Sequence, residues 1–332
     1  MKKYDIGSQS KIKNFLSKNL KQKVNFILIF IGIKFLVYKF IYLILYPFLN
    51  SNIPFFKKII FDINKKKSKY IFHDNKEKLL LFTSDQVISK EYFANDSFEF
   101  EKLKKVIAFL KSNYNTKKIY DIGANIGVIC IPAVSRGLVE EAIAIEPESE
   151  NFKLLKLNIS LNNLDNKIEA LNYALSSEND KLLNLEISKV NSGAHRINLS
   201  GIQTDKKNQI KIVKSKTFDD LFKNINAKED LIWIDTQGFE VNILSGAEKM
   251  IKSGVPVVIE FWPHALKQNK VWNEMQNIIK KFGFFADLSK NDINLEEINS
   301  KSIKKLFSDW DEERPNRHSL FTDLLLLPNK KI

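Results

Sequence analysis

KKIYDIGANIG (residues 117–127), followed by AIAIEP (residues 142–147), decides how this chain folds. The first stretch is a short apolar run that breaks into a loop at Gly123. The second is another apolar run, closed by an acid and a proline. Short apolar runs bounded by glycine or proline read as buried strands. Between them IGVICIPAVSRG (residues 126–137) has helical length and is closed by Gly137. Strand, helix and strand with a glycine loop after the first strand is the start of a parallel sheet. Gly123 reaches backbone angles closed to other residues and lets a ligand approach the main chain. A helix beginning near Ile126 or Gly127 would aim its first amides at that ligand. The spacing is G-x-x-x-G, so the dinucleotide fingerprint is absent, and so is a G-x-x-x-x-G-K-[ST] phosphate loop. Asp121, just before the loop, suits a ligand carrying a positive charge. Glu146, at the next strand end, suits a pair of ribose hydroxyls. Together they fit an aminoacyl nucleoside better than a pyrophosphate.

The alternation continues outward. ENFKLLKLNISLNN (150–163) reads as a helix and KIEALNYALS (167–176) as a third strand. DLIWIDTQG (230–238), VPVVIEFWP (255–263), FFADLS (284–289) and SLFTDLLLLP (319–328) supply further strands. FEVNILSGAEKMIKSG (239–254) and VWNEMQNIIKKFG (271–283) supply helices, and TFDDLF (217–222) a short one with Thr217 and Asp219 as cap residues. Residues 178–216 read as an insertion of short strands and loop, and Asp287 to Arg317 as a loop. KYIFHD and KLLLFTS, separated by DNKE, predict a hairpin before the core, and Phe98 to Leu110 a helix. The expected architecture is α/β, a doubly wound and mostly parallel sheet. In such sheets ligands bind at the carboxyl ends of the strands. Those ends carry Asp121, Glu146, Asn172, Asp235 and Glu260.

DIGANIG, IEPESENFKLLKLNISLNN, YALSS, SKTFDDL, WIDTQGFEVNILSGAEKMI, VVIEF and the closing TDLLLL, taken in order, resemble the FkbM-type methyltransferases. The resemblance covers Tyr120 to Trp262 and the last strand. It implies a Rossmann-like class I methyltransferase fold of seven strands with an antiparallel last strand. It implies S-adenosylmethionine as cofactor and methyl transfer to a hydroxyl, commonly on sugars, glycolipids or polyketides. The cofactor contacts it implies are Asp121, Gly123, Ala124, Asn125, Gly127 and Glu146, with Asn172 and Ala174 near the adenine. DTQG departs from many relatives, which carry an acid where this chain has Gln237.

Methyl transfer to oxygen needs positioning and a base within hydrogen-bond reach of the hydroxyl. Asp235 and Glu240 bracket the loop after one strand, and His264 follows the next. Asp235 is best placed by topology and His264 best by intrinsic proton affinity. Each also has a plainer reading: loop orientation for Asp235, a helix N-terminus for Glu240, packing for His264. His195 lies in the insertion. Trp233, Phe261 and Trp262 read either as a sugar platform or as core, and Cys130 as core. No histidine or acid cluster has metal-ligand spacing, so no metal is expected.

The charge is lopsided. Of 332 residues and a net +13, residues 1–68 hold 14 lysines and two aspartates, and so carry +12. They also hold the apolar run Val24 to Asn50, which as a helix would reach about 40 Å. Arginine is scarce, four against 48 lysines, and bidentate readout of nucleic acid favours arginine. A basic arm around an apolar run points to an anionic membrane surface and away from nucleic acid. Lys34 and Lys39 inside the run leave three readings open: an anchor lying in the interface, a single span, or a helix packed on protein. A merely solvated lysine-rich arm is the plain alternative.

The expected division is therefore an arm over 1–68 and a methyltransferase domain over 69–332, with its core at 117–287 and closing strand at 319–328. The expected location is the cytoplasm at the inner membrane face, as monomer or homo-oligomer, with a small-molecule or glycan acceptor. A nicotinamide oxidoreductase on a similar sheet, or a scaffold that has lost turnover, are the rival readings.

Overall fold

Short runs rich in isoleucine, valine and leucine become the central strands, because only a sheet covered on both faces hides every side chain of such a run. The structure is a computed structural model that describes residues 53–65, 67–188, 191–198, 209–310 and 321–329. It divides into two units, Met1–Ile60 and Phe61–Ile332. The apolar run 24–50 and most of the basic arm lie outside the described residues. Among the described residues no helix is long and apolar enough to cross a membrane. The division falls at Ile60 and Phe61, ahead of the lysine-rich stretch 64–69 where the composition changes. The reason is packing: Phe61 is fully buried and meets Phe93 at 5.7 Å between ring centroids, and Asp62 pairs with Lys90.

The second unit opens with an antiparallel hairpin, β1 (Tyr70–Asp74) and β2 (Lys78–Phe82). The helices Ile88–Asn95 and Phe100–Leu110 follow. The main sheet is built from β3 (Lys118–Ile122), β4 (Glu141–Ile145), β5 (Ile168–Leu171), β10 (Asp230–Ile234), β11 (Val257–Phe261), β12 (Phe284–Asp287), β13 (Glu296–Glu297) and β14 (Thr322–Leu327). Its order is β13-β12-β14-β11-β10-β3-β4-β5. β5, β4, β3, β10 and β11 run parallel, and β14 lies antiparallel between β11 and β12. These are the seven strands expected, with the two-residue β13 added at the edge.

Alternate residues feed the two faces. Ile119, Ala142, Leu231, Trp233, Val258 and Leu325 join one buried cluster. Tyr120, Ile122, Ile145, Ile232, Ile259 and Leu324 join the other. Trp233 and Phe261 are core residues, 2% and 0% exposed, and Cys130 is buried as expected.

Several local expectations change. The helix after the glycine loop begins at Cys130 rather than near Ile126. Asn125 and Gly127 have positive φ, of 51° and 92°, which no helix accommodates. The third strand is two pieces: β5 in the main sheet and β6 (Ala174–Leu175) in another. In that second sheet β6 pairs with β9 (Gln209–Lys216), which pairs with β7 (Leu182–Ile187), which pairs with β8 (Arg196–Ile197). The helix expected over 239–254 breaks into Glu240–Ser245 and Glu248–Ser253. A side chain at Gly246 would meet the Ser176 carbonyl oxygen at 2.1 Å, so the main chains touch there. Asp219 caps the second of these helices, through Lys249 N and Met250 N, while Thr217 caps its own. The loop expected after Asp287 contains the helix Ser300–Trp310.

Candidate functional site

The carboxyl ends of β3, β4 and β10 meet at one place, and Gly123 sets how closely. Its φ is +90°, and a Cβ there would stand 2.0 Å from the Asp235 carbonyl oxygen. Its amide and that of Ala124 donate to the Ile145 carbonyl (2.9 and 3.0 Å). The Asn125 amide donates to Glu146 Oε2 (2.9 Å), and the Glu148 amide to Glu146 Oε1 (2.7 Å). The glycine loop is thus tied to β4 through the acid at its end.

An open pocket of about 550 Å³, mouth included, lies at this meeting point. Strand ends and their loops bring Gly123, Asn125, Glu146, Tyr173, Ala174 and Asp235 to it, and the second sheet with its approach brings Ser192, Gly193 and His195 to Ile197. The rest is largely apolar: Ile122, Ile145, Leu175, Leu185, Phe239 and Ile243. Burial raises Glu146 to about 8 and, aided by the charges of Glu99 and Asp323, raises Asp235 to about 8. Among the described residues neither pairs with lysine or arginine. Two such carboxyls beside a mainly apolar cavity fit a ligand that brings hydroxyls and positive charge. S-adenosylmethionine has both, so these residues fit it.

The other expected cofactor residues lie behind this wall. Asp121 accepts the Cys130 amide (3.1 Å) and so caps the helix Cys130–Ser135. That amide is therefore taken, and the helix does not present it to a ligand. Burial raises Asp121 to about 6. Gly127 packs against Ile131 and Leu155. Asn172 donates to the carbonyls of Glu146 and Pro147 (2.8 and 3.1 Å) and holds that loop. Neither Asp121, Ala124, Gly127 nor Asn172 lines the pocket.

Of the three expected catalytic residues only Asp235 lines it. Glu240 accepts from the Thr236 amide (3.0 Å), the Thr236 hydroxyl (2.9 Å) and the Gly238 amide (3.3 Å). It closes the loop that carries Asp235. His264 sits half-buried on the helix Pro263–Gln268 beside Trp262. Gln237, held at φ 56°, donates through Nε2 to Asp235 Oδ1 (3.0 Å) and to Glu260 Oε1 (3.1 Å).

The insertion contributes Asn191 and Ser192, which sequence reasoning missed, and His195, which it named without placing. Asn191 caps the turn Ser192–Ala194. The Ser192 hydroxyl donates to Asp85 (2.7 Å) and accepts from Asn125 Nδ2 (3.2 Å). Asp85 also caps Ile88–Asn95 through three amides. His195 Nδ1 accepts the Ser188 amide (3.1 Å), so its proton is on Nε2. Burial lowers it to about 4, and it is neutral at pH 7. The visible signal was NSGAH itself, a cap residue, a glycine and a histidine in a polar stretch. A second cavity of about 730 Å³ shares Ser192 and His195, and is lined also by Lys69, Phe82, Glu148, Glu150, Asn191 and Lys211.

The family profile described as Methyltransferase FkbM domain matches residues 121–286, half of the chain. No curated protein matches the chain. Among solved structures it is similar to the methyltransferase FkbM from Methylobacillus flagellatus KT, at 13% identity and TM-score 0.37 over 71% of this chain. That alignment spans 52%, about half, of the other protein's length. It is also similar to M. jannaschii TYW2 in complex with AdoMet, at 10% identity and TM-score 0.36, covering 78% of this chain and 86% of that one. A third is the B. subtilis tRNA methyltransferase TrmK, at 11% and 0.34, covering 68% and 65%.

Proposed function

The chain belongs to the FkbM methyltransferase family and is an S-adenosylmethionine-dependent methyltransferase; from that premise we propose that its acceptor is a hydroxyl of a glycan or lipid-linked saccharide. The observation that carries the reading is Asp235, a residue that lines the pocket and whose carboxyl has its proton affinity raised to about 8. A base with proton affinity near the working pH is the kind that takes a hydroxyl proton efficiently. Gly123, Asn125 and Glu146 would hold the cofactor, Glu146 by its carboxylate toward ribose hydroxyls. When bound, S-adenosylmethionine supplies the electrophilic methyl group. The turn Ser192–Ala194 covers the pocket from the insertion side and limits water. Asp235 accepts the acceptor's proton on its carboxylate, and Glu240 keeps the loop that presents it in place.

The adjoining cavity supports a saccharide acceptor. Its acids, lysines and Asn191 match sugar hydroxyls, and the Phe82 ring matches an apolar sugar face. Residues 1–68 are proposed to hold the enzyme to an anionic membrane surface at the cytoplasmic face, where a lipid-linked acceptor would be met. Phe55, Ile59 and Ile63 on the helix Pro54–Lys65, four apart and 66%, 41% and 48% exposed, support this, with Lys57, Lys58 and Lys65 on the same helix.

The test is transfer of labelled methyl from S-adenosylmethionine to a panel of free glycans, lipid-linked saccharides and peptides. Saccharide labelling that Asp235→Asn abolishes supports the reading, and labelling of peptides alone refutes it. Removal of residues 1–68 should move the protein out of the membrane fraction.

A further inference from the structure

Beside Asp235 the described residues gather several acids and one lysine. Asp235 follows β10 and Glu260 lies on β11, the neighbouring strand. Gln237 Nε2 donates to one oxygen of each, at 3.0 and 3.1 Å. Glu260 is 2% exposed, and its Oε2 has no hydrogen-bond partner. Asp323 on β14, Glu99 ahead of the helix Phe100–Leu110, and Glu240 from the following helix also act on this pair. Among the described residues Lys102 is the cation that meets this group, and it is engaged by Glu99 and Asp323. Like charges enclosed this closely do not all ionise, so some carboxyl here retains its proton.

We propose that Gln237 and Glu260 are positioning residues for Asp235: the amide holds the two carboxyl groups as one proton-sharing pair, and the pair gives up its shared proton to solvent when a sulfonium cation occupies the pocket. Asp235 is then ionised only when the methyl donor is in place. This rests on the donor-site reading above. Three features carry it. A single amide spans both carboxyl groups, which places them close enough for the charge of one to act on the other. An oxygen enclosed by protein and left without a donor is a poor place for a full negative charge and a natural place for a proton. Asp235 lines the same pocket as Glu146 and Gly123, where the cation would add its field. Burial raises Asp235 to about 8 and raises Glu260 well above its ordinary value, in the same direction.

The consequence separates substrate from product by charge. S-adenosylmethionine carries a sulfonium, whereas S-adenosylhomocysteine carries a neutral thioether. Both have the ribose that meets Glu146, so any proton moved by that contact is common to the two. The difference between them isolates the Asp235 and Glu260 pair. After transfer the sulfur is neutral, the pair recovers a proton, and the field favouring the ligand is gone.

The experiment is calorimetric titration of each ligand into the full chain at pH 7, in two buffers of different protonation enthalpy. It counts protons released on binding and needs no turnover. Release for S-adenosylmethionine should exceed that for S-adenosylhomocysteine by a fraction of a proton up to about one. The excess should shrink as pH rises past about 8, where Asp235 ionises without the ligand. Glu260→Gln should remove the excess while leaving S-adenosylhomocysteine binding in place. If that variant binds neither ligand, Asp235→Asn removes the pair from the other side and should give the same loss. Equal release for the two ligands in the wild type overturns the proposal, as does an excess that survives either substitution. Failure of the wild type to bind either ligand overturns the donor-site reading itself.

Discussion

Gly123→Ala, measured beside Gly137→Ala, tests how the pocket is built. Both glycines have positive φ, +90° and +69°. Gly137 has nothing within 4 Å of where a Cβ would stand, so its substitution costs only the conformational term, about 1 kcal/mol. At Gly123 the new Cβ would lie 2.0 Å from the Asp235 carbonyl oxygen. That neighbour is backbone and cannot rotate away, so the glycine loop and the start of the Asp235 loop must separate. Bonds at risk are Gly123 N to Ile145 O (2.9 Å), Ala124 N to Ile145 O (3.0 Å) and Asp235 N to Ile122 O (3.0 Å). Loss of two of these adds about 1 kcal/mol each, and the left-handed angle about 1–2 more. The total is about 3–4 kcal/mol, a factor of several hundred in the folding equilibrium. Urea unfolding of the two variants gives the comparison, and calorimetric titration of S-adenosylhomocysteine gives the effect on the pocket. Gly123→Ala should also lose most of its affinity, whereas Gly137→Ala should keep it. Equal and small destabilisation of the two variants would refute the close approach of β3 to the Asp235 loop.

Other expectations follow from single contacts. Glu240→Ala leaves three loop donors without an acceptor and should destabilise by about 2–4 kcal/mol in urea unfolding; a change within about 0.5 kcal/mol would return Glu240 to the list of reacting groups. Arg136→Ala strands the Glu77 carboxylate, which it grips at 2.7 and 2.6 Å, and should cost about 3–5 kcal/mol. Adding Glu77→Gln should restore part of that, and an undiminished loss in the double variant would place the cost elsewhere. The ligand-free protein should lose stability as pH rises from about 6.5 to 8. Glu146 and Asp235 bind protons more tightly folded than unfolded, so their contribution is whole below the unfolded value and fades as pH passes through about 8. His195 acts in the opposite sense: its contribution is whole above the unfolded 6.5 and fades as pH falls through about 4, so it does not oppose them in this window. Thermal midpoints that rise across pH 6.5 to 8 would contradict the burial of both carboxyls.

The strands of the parallel core were legible in the chain, because a strand covered on both faces must be apolar throughout, and IYDI, AIAI, LIWI and VVIEF are runs of that kind. So were the glycine loop and the acids at the strand ends, since topology alone puts strand ends together. The local forms were less so. Helix 239–254 reads as continuous by periodicity, and it breaks because Gly246 meets the main chain at Ser176, a contact between residues 70 apart in sequence. The caps show the same limit: Asp219 serves a helix thirty residues further on.

By itself the sequence determined the fold class, the family and the strand ends at which the pocket lies, because these follow from period, from glycine and from motifs in order. Tertiary structure decided which acids face that pocket. Asp121 and Asp235 read alike, each an acid at a strand end, yet the Cys130 amide takes the first and the pocket receives the second. It also decided that Ser192, Gly193 and His195 to Ile197 line the pocket and that Gln237 joins Asp235 to Glu260. Side-chain roles of this kind depend on which donor lies within about 3 Å, and that distance is set by segments far apart in the chain.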